Sequence, residues 1–211
     1  MSKAFYDKYY FSGKKSFFYK FGYKDTINIW KSRLDFLLKY KNKGKLLDVG
    51  CALGYMVAQF SNQFEIYGID CSKYAINIAR KNVKQGMFKA HDAEEPFPFR
   101  NTMFDVVTCA DVLEHLKDTE KLLENISNVL KDDGILFLIT PNYNMLRKVL
   151  FYFPDIMEHH ISLYHINEII KKLEEKNFEI LNYNTGINFF NKSFWFKNKL
   201  GLETRIIAKK I

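Results

Sequence analysis

An acid and three small residues follow one another in the stretch KLLDVGCALGYM, residues 45–56. The apolar side chains around Asp48 are typical of a buried strand, whereas Gly50, Ala52 and Gly54 carry a methyl group or no side chain. Small residues at alternate positions allow a ligand to approach the backbone closely. Because ligands of open α/β sheets bind at the carboxyl ends of the strands, we expect a binding site at this turn.

Strand and helix patterns alternate after this turn and predict the sheet that would position it. Short apolar segments typical of strands buried on both faces lie at 45–49, 64–69, 87–90, 104–109 and 134–139. Helical patterns lie near 53–62, 72–84, 119–131 and 165–176, and two further strands are predicted at about 178–184 and 203–210. We therefore expect an α/β domain at 45–211, preceded by a helical arm at 1–44. The domain would be doubly wound, with a mostly parallel seven-stranded sheet and a C-terminal antiparallel hairpin.

The composition indicates one globular domain, since 47% of the 211 residues are hydrophobic. The sequence has no run of about 18 apolar residues, the length that spans a bilayer. Residues 1–20 contain lysines throughout and no apolar core, so we do not expect a secretory signal. The three cysteines lack CxxC spacing, which favours reduced thiols and a cytoplasmic location.

The positive charge is concentrated at the start of the chain. Residues 1–45 contain 12 Lys or Arg and 3 Asp or Glu, and the whole chain carries a net charge of +8. Such an arm could bind phosphate in a nucleic acid, a nucleotide-linked sugar or a lipid headgroup, or it could form a solvated surface. Arginine is scarce, which disfavours the nucleic-acid interpretation because bidentate phosphate and base contacts use arginine.

The turn does not fit the dinucleotide-binding fingerprint GxGxxG. That fingerprint requires glycines where this chain has Ala52 and Tyr55. A nicotinamide-dependent oxidoreductase is therefore the least favoured class. The pattern that remains, Asp-x-Gly-x-Ala-x-Gly, resembles the first motif of the class I S-adenosylmethionine-dependent methyltransferases.

Five segments resemble the motifs of that family in the family's order. They are LLDVGCALG, YGIDCS, HDAEEPFPF, FDVVTCADVLEHL and LKDDGILFLITPN. They cover roughly residues 45–140, and EHHISLYHINEIIKKLEEKNFEIL is similar to the family's C-terminal stretch, with Asn177 where a glycine is usual. The resemblance implies a Rossmann-like methyltransferase fold, with S-adenosylmethionine as cofactor and S-adenosylhomocysteine as product.

The resemblance also implies which residues bind the cofactor. Asp48 would accept from the ammonium group of the methionine part, Asp70 would hold both ribose hydroxyls, and Asp92 would accept from the adenine amino group. The other predicted contacts are Gly50, Ala52, Gly54, Cys71, Ala93 and Ala110. A turn or cap carboxylate is the structural alternative for Asp48 and Asp70, and a solvated loop acid is the alternative for Asp92.

Transfer to a weakly acidic hydroxyl requires a base, and histidine is the natural candidate. His115, in VLEHL, matches a histidine of small-molecule methyltransferases and would act as base, substrate contact or helix-start hydrogen bond. His160, before the last helix, is a predicted substrate contact. Glu114 is a weaker candidate for a metal or substrate ligand, and we predict no metal site.

Aromatic residues of the arm form the other predicted wall of the site. The residues that could close over cofactor and substrate as a lid are Tyr10, Tyr19, Tyr23, Trp30 and Arg33. Of these, Tyr23 and Arg33 are predicted substrate contacts; alternatively, the aromatic residues pack the arm onto the sheet. A further aromatic set interspersed with lysines could touch a membrane surface: Phe189, Phe190, Phe194, Trp195 and Phe196.

The predicted function is a cytoplasmic methyltransferase for a small metabolite, with oxygen as the favoured acceptor atom. A sugar of a glycan pathway, a lipid or a quinone precursor would fit. An RNA methyltransferase using the basic arm is one alternative, although CADV at 109–112 replaces the Asn-Pro-Pro-Tyr motif of base methylation and TPNY lies one strand later. A non-catalytic scaffold that binds the cofactor is the other.

Overall fold

The computed structural model describes residues 5–17, 23, 27–99, 103–189 and 192–211. The strands are β1 Gly44–Val49, β2 Phe64–Asp70, β3 Met87–Ala90, β4 Phe104–Ala110, β5 Leu130–Pro141, β6 Phe178–Phe189, β7 Lys192–Phe196 and β8 Glu203–Lys210. The helices are α1 Lys8–Phe11, α2 Ile27–Leu37, α3 Tyr55–Ala58, α4 Lys73–Asn82, α5 Thr119–Val129, α6 Met145–Leu150, α7 Tyr152–Met157 and α8 Ile166–Glu174. A short 3-10 helix spans Leu113–His115.

The eight described strands form one sheet in the order β3-β2-β1-β4-β5-β8-β6-β7. The first five strands are parallel to one another, whereas β8 is antiparallel to both β5 and β6. This topology confirms the doubly wound, mostly parallel sheet with an antiparallel C-terminal pair. The strand count is eight rather than seven, because β7 forms in the aromatic, basic segment that was predicted to be a connection.

Each face of the sheet carries its own core, because successive side chains of a strand point to opposite faces. Leu47 packs in a cluster with residues of α5 and α8. Leu46 packs in a second cluster with Trp30 and Leu37 of α2 and residues of α4. Part of the N-terminal arm therefore belongs to the core of the fold.

The helix predicted at 53–62 is much shorter in the structure. α3 ends at Ala58, and the following backbone bonds join residues three apart, as in Phe60 N–H to the Val57 carbonyl at 3.0 Å. The apolar residues continue to face the core through these turns, since Val57 and Phe60 are fully buried. Hydrophobic spacing alone did not distinguish an α-helix from a run of tight turns.

Two helices between β5 and α8 have no counterpart among the predicted elements. α6 begins after Asn144, whose side chain accepts from the Arg147 N–H, and α7 follows it directly. Within α8, the predicted apolar spacing places Ile169 and Leu173 in the core. Asn177 beyond it has φ 62°, which confirms the left-handed conformation predicted after this helix.

Candidate cofactor and acceptor site

The turn after β1 uses small residues for its own backbone conformation. Gly50, Ala52 and Gly54 have φ values of 76°, 46° and 79°, a region that L side chains rarely adopt. A Cβ on Gly50 would lie 2.1 Å from Cγ2 of Val112, and a Cβ on Gly54 would lie 3.1 Å from Cα of Ala79. The spacing that predicted ligand approach therefore also reflects close packing within the protein.

A cleft of about 1100 Å³, part of it open to solvent, lies at the carboxyl ends of β1, β2 and β4. Eleven of the predicted site residues line it: Tyr23, Arg33, Asp48, Gly50, Ala52, Asp70, Cys71, Asp92, Ala93, Ala110 and His115. Gly54 and His160 are not among the lining residues. Gly54 instead starts α3 and packs against α4.

Asp70 ends β2 with both carboxylate oxygens accepting from backbone groups. Oδ2 accepts from the Ala52 N–H at 2.9 Å, and Oδ1 accepts from the Ser72 N–H at 2.8 Å. Burial raises the pKa of Asp70 to about 6, and the two hydrogen bonds act in the opposite direction. Each carboxylate oxygen has room for a second donor, so Asp70 can accept from a pair of neighbouring hydroxyls.

Asp48 lies deeper, with 2% of its surface exposed. It accepts a hydrogen bond from the Thr108 hydroxyl at 2.6 Å. Burial raises the pKa of Asp48 to about 7, although this bond and the positive charge of Arg33 lower it. A cation entering the cleft would stabilise the ionised carboxylate and lower that pKa again.

The loop after β3 forms the next part of the wall. Oδ1 of Asp92 accepts from the Glu94 N–H at 3.1 Å. The carbonyl of Ala93 accepts from Nδ2 of Asn125 at 3.1 Å, which fixes the loop to α5. Cys71 also lines the cleft and follows β2, which pairs with β3, and all three cysteines are free. The residues predicted to surround adenine therefore share one wall.

Residues of the N-terminal arm also line the cleft. Nη2 of the buried Arg33 lies 3.4 Å from Oδ2 of Asp111 and 3.3 Å from Oε1 of Glu203. The Tyr23 ring stacks on the Tyr55 ring, with the two ring centroids 6.1 Å apart. Burial raises the pKa of Tyr23 above its ordinary value. Both predicted substrate contacts thus also hold the arm in place. The further lid candidates Tyr10 and Trp30 line the cleft as well, whereas Tyr19 lies outside the described residues.

His115 lies in the 3-10 helix after β4, with its ring lining the cleft. Its Nδ1 is buried and has no hydrogen-bond partner within the part of the chain that the structure describes. Burial, followed by the proximity of His160, lowers the pKa of His115 to about 3, although the backbone at His159 and Glu158 acts in the opposite direction. The ring is therefore neutral at physiological pH.

His160 packs directly behind this ring, with the two ring centroids 4.8 Å apart. Its Nδ1 lies 2.7 Å from Oδ1 of Asp155, and Arg147 binds the same carboxylate through two nitrogens. The side chains of His160 and Asp155 are each 6% exposed. His160 thus supports His115 instead of lining the cleft.

Three side chains near this point carry atoms that could bind a metal ion. Ligand atoms of Glu114, His115 and His160 lie within 4.8 Å of one another. Glu114 is 1% exposed and accepts from the Thr140 hydroxyl at 3.0 Å, and burial raises its pKa well above the ordinary value. A protonated carboxyl group is a poor metal ligand, so the absence of a metal from the reaction stays our prediction.

Several lining residues were not found by sequence reasoning, among them Asp111 and Tyr6. Asp111 directly follows β4, so the rule that ligands bind at strand ends could have found it. Tyr6 meets the His115 ring edge-on at 5.7 Å. Nothing in the local pattern around Tyr6 distinguishes it from the other aromatic residues of the arm.

A family model described as a methyltransferase domain matches residues 24–183 of this chain. The match covers well over half of the sequence, so the chain belongs to this methyltransferase family. Membership confirms the resemblance to the class I S-adenosylmethionine-dependent methyltransferases that the ordered motifs indicated.

Similar proteins carry related descriptions. One is the ubiquinone biosynthesis O-methyltransferase of Glaesserella parasuis serovar 5 (strain SH0165), 31% identical over 107 residues, which are 46% of this chain and 45% of that protein. Another is that of Neisseria meningitidis serogroup C (strain 053442), 29% identical over 131 residues, 58% of this chain and 55% of that protein. The chain spans about half the length of the curated relatives it matches.

Solved structures share the fold. A S-adenosylmethionine-dependent methyltransferase of Clostridium acetobutylicum ATCC 824 superposes with a TM-score of 0.70 at 16% identity, covering 89% of this chain and 92% of that one. The N-methyltransferase NodS of Bradyrhizobium japonicum WM9, in complex with S-adenosylhomocysteine, gives 0.67 at 16% identity, with 87% and 86% covered. These similarities confirm the predicted Rossmann-like methyltransferase fold.

Proposed function

We propose that this protein transfers a methyl group from S-adenosylmethionine to a small molecule, with an oxygen atom as the acceptor. The observation that carries the proposal is the convergence of Asp48, Asp70 and His115 on one cleft at the carboxyl ends of three neighbouring strands. Two carboxylates at different depths suit a ligand that carries a cation and a diol. The neutral histidine suits a hydroxyl group of a second molecule bound nearby.

The residues of the cleft fit the cofactor in chemical terms. Asp70 can accept from both ribose hydroxyls while retaining its bonds from Ala52 and Ser72. Asp48, whose pKa is raised to about 7, would be ionised by an ammonium group beside it. The wall formed by Cys71 and the loop after β3 would hold adenine.

The cofactor supplies an activated methyl group on a sulfonium sulfur. The task of this chain is then to align the acceptor and to exclude water. The His115 ring lines the cleft and is uncharged, so it can take the proton of a hydroxyl group bound there. A base with a low pKa suffices, because the hydroxyl proton becomes strongly acidic as the oxygen forms its bond to the methyl group.

The acceptor is proposed at the level of its class. The relatives named as ubiquinone biosynthesis O-methyltransferases support a hydroxyl group of the quinone-precursor type, and a glycan sugar or a lipid remains compatible with the cleft. None of the helices in the described residues is long and apolar enough to cross a membrane. The proposed location is the cytoplasm, because the three cysteines are free.

Ligand-dependent thermal unfolding tests the cofactor assignment. At about 100 times the dissociation constant, S-adenosylmethionine or S-adenosylhomocysteine should add about 2.7 kcal/mol to the free energy of unfolding and raise Tm by about 5–10 °C. NAD, the control ligand, should not change Tm. Stabilisation by NAD alone would overturn the assignment.

Transfer of labelled methyl groups into cell extract then tests the activity. We expect label in the small-molecule or lipid fraction. Label that is sensitive to ribonuclease would show an RNA methyltransferase, which the basic arm would serve. Cofactor binding without label in any fraction, alone or with cellular partners, would show a non-catalytic scaffold.

A further inference from the structure

The pair of helices α6 and α7 is arranged with charge inside and apolar side chains outside. Arg147 and Asp155 are 6% and 4% exposed, and the guanidinium binds the carboxylate at 2.6 and 3.1 Å. Met145, Val149 and Phe153 are 77%, 74% and 75% exposed. This is the reverse of the usual amphipathic helix, which turns its apolar stripe toward the core.

The exposed apolar side chains form a dense set over a short length of chain. We call the following residues the apolar face: Met145, Leu146, Val149, Leu150, Tyr152, Phe153, Ile156, Met157 and Ile161. Single exposed apolar residues are ordinary on protein surfaces. Nine within 17 residues indicate a surface that is covered by something apolar.

The loop before β8 extends this surface. Nδ2 of Asn144, at the start of α6, donates to the Gly201 carbonyl at 2.8 Å, and Arg147 donates to the Leu202 carbonyl at 3.0 Å. These bonds place the loop beside α6. Leu200 in this loop is 71% exposed, so the apolar surface continues across two separate parts of the chain.

The exposed charged side chains within the two segments that form this surface have one sign. Within residues 143–161 and 194–200, all of them described, the exposed charged side chains are Lys148, Lys197 and Lys199. The acids of these two segments, Asp155 and Glu158, are buried. A rim of lysines around apolar side chains is typical of a surface that lies in the headgroup region of an anionic membrane.

The face is connected to the acceptor end of the cleft. Glu158, which follows α7, accepts from the hydroxyls of Ser16 and Tyr10 in the arm at 2.6 and 3.3 Å. His160, two residues later, packs on His115 in the cleft. A bilayer that binds α7 would therefore also restrain Glu158 and His160, which connect α7 to the arm and to the cleft.

We infer that the apolar face, with Leu200 and its lysine rim, docks this protein on the interface of an anionic lipid bilayer. A second copy of the chain is the competing occupant. A symmetric dimer through this face would bring the three lysines of each copy toward those of its partner without an exposed acid in the two segments to balance them. Anionic lipid supplies the missing charge. The inference does not depend on the identity of the methyl acceptor.

Vesicle co-sedimentation tests the inference with the full chain. Phosphatidylcholine vesicles containing phosphatidylglycerol should retain the protein, and phosphatidylcholine alone should retain much less. A double variant, Val149→Asp with Phe153→Asp, should reduce the bound fraction at least about tenfold, because both charges would enter the apolar region. The change Lys148→Glu should weaken the preference for anionic vesicles and reduce its dependence on salt.

A matched control is Met87→Asp, at an exposed methionine of β3 on the far edge of the sheet, which should bind vesicles like the original protein. Circular dichroism and Tm verify that each variant is folded. Sedimentation equilibrium tests the competing possibility of a dimer. A dimer that the double variant dissociates, with no binding to either vesicle, would overturn the inference in favour of a second copy.

Discussion

Nδ1 of His160 lies 2.7 Å from Oδ1 of Asp155, and Arg147 holds the same carboxylate. Although burial raises the pKa of Asp155, its bonds with His160 and Arg147 keep that pKa below its ordinary value. The ionised carboxylate orients the His160 ring, which in turn packs on His115. The inner side of α6 and α7 therefore reaches the cleft through one pair of histidines.

The first prediction concerns this pair. His115→Asn should lower kcat about 100-fold or more while leaving cofactor affinity unchanged, since general-base catalysis contributes at least that much. Asp155→Asn should lower kcat by a smaller factor, about tenfold, and shift the pH-rate profile, because the His160 ring behind His115 loses its charged partner.

Steady-state kinetics over a range of pH, with calorimetric titration of S-adenosylhomocysteine, would separate turnover from binding. The control is His165→Asn, which keeps a side chain able to cap α8 and should not change either quantity. Full turnover by His115→Asn at every pH would remove the histidine from the mechanism.

The second prediction tests the diol contact. Asp70→Ala should weaken cofactor binding by about 2–4 kcal/mol, because two charge-assisted hydrogen bonds would be lost. Asp105→Ala is the matched control, since that acid lies at the start of β4 and accepts from the Lys45 N–H, away from the lining residues. Calorimetric titration of the two folded variants should show the loss in Asp70→Ala alone; equal affinities would contradict the site.

The third prediction follows from the raised pKa of Asp48, about 7 in the folded chain. An unfolded aspartate titrates near pH 4, so between about pH 4 and 7 the folded state binds more protons, and stability falls as pH rises. Asp48→Asn should remove this part of the loss, making the ligand-free variant more stable than the original protein at pH 8. Urea unfolding at pH 4, 6 and 8 measures this, and an unchanged pH dependence would count against it.

The fourth prediction concerns the arm. Glu158→Ala removes the acceptor for Ser16 and Tyr10, so residues 5–17 should become more sensitive to proteolysis. KM for the acceptor should rise about tenfold, because the arm would close the cleft less often. Glu174→Ala, at an exposed acid of α8, should leave both properties unchanged. Equal protease sensitivity of the two variants would mean that Glu158 does not hold the arm.

The fifth prediction addresses the three donors at Glu114, His115 and His160. We expect dialysis against a chelator to leave turnover unchanged, because burial favours the protonated form of Glu114. Addition of Mg²⁺ or Zn²⁺ should then have no effect on the rate. A loss of activity that one of these ions restores would instead identify the cluster as a metal site.

Much of the fold could be predicted because its information is local. The strand that contains Asp48 and the strand that ends at Asp70 are short and apolar, and their carboxyl ends meet at one edge of a parallel sheet. The cofactor half of the candidate site followed from that rule and from the motifs.

The acceptor half depends on contacts that sequence patterns do not encode. Asp155 and His160 are five residues apart, and their hydrogen bond depends on how α7 ends. Tyr6 reaches His115 only because the arm folds back over the sheet. The apolar face was not predicted, because helices that bury charge and expose apolar side chains do not follow the usual amphipathic pattern. The sequence suggested membrane contact for a different segment, around Phe194 and Phe196.

The carboxylate of Asp70 belongs to two parts of the site at once, because it accepts from the Ala52 N–H in the turn after β1. Any occupant that engages Asp70 also restrains Ala52, whose backbone lies in the left-handed region. Under the proposed cofactor assignment, filling the adenosine half of the cleft would therefore reduce the ordering that the methionine half still requires. The two halves of one ligand would bind with positive cooperativity, and a fragment carrying either half alone would understate the affinity of the whole.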